Sequence, residues 1–103
     1  MLTKNELQIF LANHRIYFNG DRWLYDWVKC NDGFVFSVQA SDFHRSHIKD
    51  GVITHYEVGF PSTPPKYIDM NGDDIAEFVD ADYVVGEINY HGGIAYDEYQ
   101  MDV

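Results

Sequence analysis

NDGFVFSVQAS, residues Asn31–Ser41, decides the fold class. Asn31-Asp32-Gly33 supplies residues that tolerate the positive φ of a tight hairpin turn. Directly after it, Phe34, Phe36, Val38 and Ala40 alternate with Val35, Ser37, Gln39 and Ser41, the period of a strand with one dry face. On the N-terminal side, RWLYDWVK (22–29) puts Trp23, Tyr25 and Trp27 on one face, as cross-strand neighbours of the phenylalanines. Asn19-Gly20-Asp21, a second turn signal, separates that run from RIYF (15–18). On the C-terminal side, VITHYEVGF (52–60) places Val52, Thr54, Tyr56, Val58 and Phe60 on one side. The pattern predicts an antiparallel meander of about four strands, and its apolar face needs a cover.

Two helices are predicted to supply it. Thr3 is an N-cap with Glu6 three residues on, a capping box, and Leu2 and Leu7 stand at the staple positions. Leu7, Phe10 and Leu11 form the apolar face, widened by Ile9, and the helix ends near Asn13 and His14. PSTPPK (61–66) cannot join a ladder, because proline lacks the N–H. Beyond it, Asp80 caps a helix over 81–91 with a Val84, Val85, Ile88 stripe and a Gly92-Gly93 stop. A strand over the same residues is the alternative, since Val84, Gly86, Ile88 and Tyr90 also alternate. Residues 73–79 read as a short helix through Ile75, Phe78 and Val79. The expected fold is a single α+β domain over 1–103, with an N-terminal and a C-terminal helix on the sheet.

Charge divides this domain. Residues 1–66 hold seven acids and all seven Lys and Arg, whereas 67–103 hold ten acids and neither base, so the formal charge of −10 belongs to the last third. Phosphate neutralisation needs clustered Lys and Arg, which argues against direct binding of nucleic acid or of an anionic membrane. The N-terminus lacks the pattern of a signal peptide, and no apolar run approaches the ~18 residues of a membrane span. A lone Cys30 permits no internal disulfide and suits a reducing cytoplasm. Aromatic content of 17% argues against disorder.

Catalytic and metal chemistry find little support. No nucleophile elbow, P-loop or dinucleotide fingerprint occurs, and Cys30 reads as a half-buried structural thiol. The expectation is a protein that is not an enzyme and uses no cofactor. His44 and His47, with Asp42 before them and His55 on the next strand, form a weak alternative metal or small-ligand site without a second tight pair. DMNGDDIAEFVD (69–80) resembles a calcium loop at its start, but Asp74 stands where glycine is needed and Asp80 where a bidentate Glu belongs.

SVQASDFH (37–44), EVGFPS (57–62) and EINYHGGI (87–94) together resemble a group of small phage and prophage proteins. The likeness covers roughly half the chain, in order, and departs after His44, where RSHIK replaces an aromatic-Cys-x-Pro-Arg run. It implies a phage or mobile-element origin and supports the helix over 81–91 with an extended lead-in; the group carries no established catalytic residues to transfer. Joined to the charge segregation, it leads to the expectation of an acidic inhibitor or decoy. The partner would be the basic surface of a host nucleic-acid-binding defence protein, a CRISPR effector or restriction enzyme. A phage assembly or regulatory adaptor is the further alternative. The expected partner-binding residues are Asp73, Asp74, Glu77, Asp80, Asp82 and Glu87, with Tyr83 and an acidic-aromatic arm of Tyr96, Asp97, Glu98 and Tyr99. Asp80 and Glu87, two helical turns apart, should share one face.

Overall fold

A computed structural model describes residues 1–99. Asp102 and the end of the acidic-aromatic arm (100–103) lie outside the described residues. The elements run α1 (Lys4–Ala12), β1 (Arg15–Tyr17), β2 (Trp23–Tyr25), β3 (Val28–Lys29), β4 (Val35–Gln39), β5 (His47–Lys49), β6 (Val52–Gly59), β7 (Ile75–Asp80) and α2 (Ala81–Tyr90), with a short 3-10 turn at Tyr96–Glu98. The α+β class with a helix near each end is as expected, but the described residues form seven strands in two antiparallel sheets rather than a four-stranded meander.

The extra strands have local causes. RWLYDWVK is two strands, because Asp26 breaks it: its Oδ1 accepts the Trp27 amide at 2.7 Å and its own amide donates to the His14 carbonyl. Before the break, β2 pairs with β1 in a separate ribbon across Asn19-Gly20, both at positive φ. After the break, β3 pairs with β4 around Asn31–Gly33, with Val28 opposite Phe36. Trp23 and Trp27 are therefore not cross-strand neighbours of the phenylalanines; Trp27 is exposed and meets the Phe60 ring edge-on. A third turn, Asp50-Gly51, also at positive φ, joins β5 to β6.

β6 is the centre of the larger sheet. Val58 pairs with Val38 of β4 and with Ala76 of β7, so β4 and β7 lie on opposite edges of β6. Thr54 is an extra residue against β5, and this bulge swaps the faces of β6. Ile53 is consequently buried with Tyr56 and Val58, while Val52 is exposed and Phe60 leaves the sheet at φ 50°. Val52 and Phe60 thus depart from the single face that strict alternation predicts. Residues 75–80 are strand, not helix, which agrees with the extended lead-in implied by the phage-protein resemblance.

The core joins Phe34, Phe36, Val38, Tyr56 and Val58 to Leu7, Phe10 and Leu11 of α1 and Val84, Val85 and Ile88 of α2. The Thr3–Glu6 capping box is formed, and Asp80 caps α2 by accepting the Asp82 amide. Ile9 does not widen the α1 face; it is exposed. Three side-chain amides stand in for backbone. Gln39 bonds both the N–H and C=O of Tyr25, tying the ribbon to β4. Gln8 links α1 to Gly51 and Ile53, and Asn89 links α2 to both backbone groups of Leu2. No helix is long and apolar enough to cross a membrane.

Candidate partner-binding groove

The acidic third folds around an open groove. Its first wall is the segment after PSTPPK, anchored by Ile68 in the core and Met70 against it, and turned by Asn71-Gly72 at positive φ. Its second wall is β7, which among the described residues pairs with β6 alone and so forms the edge of the sheet. Between Tyr56 and Val58 pairings the β7 register shifts, and Phe78 takes φ 50°, an uncommon conformation for a bulky residue. The Phe78 amide donates to the Arg45 carbonyl at 2.9 Å, which fixes the bulge and leaves the ring exposed.

Between these walls is a concavity of about 710 Å³. Asp69, Asp73, Glu77 and Asp80 line it together with Tyr67, Phe78, Tyr83 and His55, and among its described lining residues there is no Lys or Arg. Tyr67, Phe78 and Tyr83 are all exposed. Exposed aromatics beside uncompensated carboxylates offer a cationic partner both Coulomb attraction and ring faces for cation–π contact.

Of the expected partner-binding residues, Asp73, Glu77, Asp80 and Tyr83 converge here. Asp74 is exposed on the neighbouring concavity beneath residues 60–74. Asp82 is exposed in the first turn of α2 and is met by Lys4 at 3.3 Å, a base from the neutral part of the sequence. Tyr96, Asp97 and Glu98 are exposed but do not line the groove; Tyr96 meets Phe10 of α1. Tyr99 is buried, its hydroxyl donating to the Trp27 carbonyl and accepting the Lys29 amide, so it serves the fold. Burial raises its phenol to about 12.

Glu87 requires a correction of the expected surface set. It is fully buried, on the inner side of α2 and not on a face with Asp80. Its Oε1 accepts the Tyr67 amide at 2.7 Å and its Oε2 accepts the Lys66 amide at 3.0 Å. Oε2 also lies 2.9 Å from Nε2 of His91, whose Nδ1 is 2.6 Å from Asp32 Oδ2. The His91 ring stacks on Phe34 at 3.9 Å between centroids. The Phe34 amide, and to a lesser degree His91, hold the Asp32 carboxyl below its ordinary value.

Sequence reasoning missed this chain, although Glu87 and His91 are four residues apart in a predicted helix and the turn carrying Asp32 was recognised. Phe78 was also missed as a groove residue, because only the bulge turns it outward. Of the histidine alternative, His47 and His55 are cross-strand neighbours with ring centroids 5.9 Å apart and both address the Thr54 hydroxyl, whereas His44 bonds Ser41. Among the described residues, no three His, Cys, Asp or Glu side chains gather as a metal ion requires. Cys30 is buried; desolvation first, then Asp32 and Glu87, push its thiol up to about 12. Comparison with family models, curated proteins and solved structures gave no match.

Proposed function

We propose that this chain is a non-enzymatic acidic inhibitor or decoy of phage or mobile-element origin. It occupies the basic surface of a host nucleic-acid-binding defence protein, of the CRISPR-effector or restriction-enzyme kind, in the host cytoplasm. The observation that carries this reading is the groove in which Asp69, Asp73, Glu77 and Asp80 converge beside three exposed aromatic rings. Duplex DNA presents one charge per ~1.7 Å of axis, and a protein surface competes for the same site by crowding carboxylates onto a rigid frame. The frame here is a sheet edge and a capped helix, so the charges are positioned before a partner arrives.

The test is capture from bacterial lysate by the tagged chain at low and moderate salt, with competing duplex DNA. The reading predicts retention of nucleic-acid-binding proteins that is lost with salt and displaced by DNA. Retention indifferent to both would refute it.

A further inference from the structure

The Asp32–His91–Glu87 chain lies behind the groove and is not part of its lining. Buried Glu87 accepts two main-chain amides at the entry to the groove's first wall and lies 2.9 Å from one ring nitrogen of His91. Those amides belong to Lys66 and Tyr67, the residues that follow three prolines unable to pair with any strand. Upstream, this segment is tied to β4 by the Ser62 amide on the Val35 carbonyl and by the Val35 amide on the Ser62 hydroxyl. Downstream, the next anchor is the apolar side chain of Ile68. Tyr67 itself rests edge-on against Tyr90 of α2, with the Lys66 ammonium 4.8 Å from the Tyr90 ring.

A buried carboxylate loses its hydration and is tolerated where donors replace the lost water. The two ring nitrogens of His91 bridge Glu87 on one side and Asp32 on the other, at 2.9 and 2.6 Å. His91 is held in that position from two further directions. Its ring stacks on Phe34, and the Asp32 amide donates to its carbonyl. We infer that Asp32, His91 and Glu87 form a hydrogen-bonded latch that fixes Lys66 and Tyr67 on α2 and thereby sets the wall of the acidic groove. Glu87 and His91 are positioning residues: they act on the groove through two backbone amides. The inference rests on the proposed function only for its consequence in binding.

Glu87→Gln is the informative variant. It keeps the volume, but in either orientation its amide nitrogen must face a backbone N–H, that of Tyr67 or that of Lys66, a donor against a donor. Amide hydrogen exchange at Lys66 and Tyr67 is expected to quicken roughly tenfold or more, from loss of charge-assisted bonds, while β4 and β6 stay protected. Binding of oligo-lysine should weaken more than in Asp97→Asn, which removes one charge away from the groove. Asp32→Asn is the second variant, suited to the case in which Glu87→Gln does not fold, because Asp32 is half exposed. Its Asn nitrogen, a donor, replaces the acceptor oxygen that faces Nδ1, and should quicken the same two amides severalfold with a matching change in the ring nitrogen NMR signals. Wild-type protection of Lys66 and Tyr67 in folded Glu87→Gln overturns the latch, as does wild-type protection in Asp32→Asn if only that variant folds. If the wild-type chain binds no oligo-lysine, the proposed function fails while the exchange data still decide the latch.

Discussion

Glu87 lies three residues beyond Val84 and four before His91, at the border of the stripe that α2 turns to the core. A count of acids places it on the surface; the helical register, with a histidine one turn on, is the signal for its burial. What no pattern could supply is its other partners, the amides of a proline-bounded loop some twenty residues upstream. Cys30 is closer to its reading, since an apolar strand followed by a hairpin already implied a half-buried structural thiol, and the thiol is buried. With its pKa raised from 9.0 to about 12, Cys30 should react with a thiol reagent at pH 8 only through unfolding, so the native labelling rate should rise with urea. Burial of the thiol contributes stability that is intact below 9.0 and declines as pH rises towards 12. Asp32 has the reverse sign: its folded-state pKa is depressed from 3.8, so its contribution is present above that value and lost as pH falls below it. Urea unfolding of Asp32→Asn should therefore show lower stability than the wild type at pH 7, with the two converging in acid.

At the scale of elements, the α1 capping box, the Asn31–Gly33 hairpin, the dry face of β4 and the Asp80-capped helix were all legible, because each depends on residues close in sequence. The Asp50-Gly51 hairpin carried the same turn signal, yet β5 is three exposed residues long and shows no alternation. The bulges at Thr54 and Glu77–Phe78 were not legible, since a bulge is settled by which strand lies opposite. Two glycines separate backbone need from packing. Gly51 has φ 78° with open space around its Cβ position, so Gly51→Ala should cost about 1 kcal/mol through backbone strain alone. Gly86 lies inside α2 with equally open space, and Gly86→Ala should stabilise by about 0.5–1 kcal/mol. Paired thermal melts check both, and a destabilised Gly86→Ala would reveal a close approach on that face.

Across the whole molecule, the division into a neutral and an acidic part in sequence becomes a division in space that is only partly preserved. Lys4 from the first helix meets Asp82, and Glu87 leaves the surface altogether, while Asp69, Asp73, Glu77 and Asp80 gather at the sheet edge. Composition could give the total charge, but where it converges depends on β7 becoming an edge strand and on the loop folded back beside it. The central claim is that this groove, and not net charge, recognises a basic partner. It is tested most directly by titrating an arginine- and lysine-rich peptide at low salt into two variants of equal charge. One is neutralised inside the groove (D73N, E77Q, D80N) and the other outside it (D50N, D97N, E98Q). At a few tenths to one kcal/mol per exposed ion pair, the groove variant should bind about tenfold more weakly than the outer one. Equal affinities for the two variants would contradict the account.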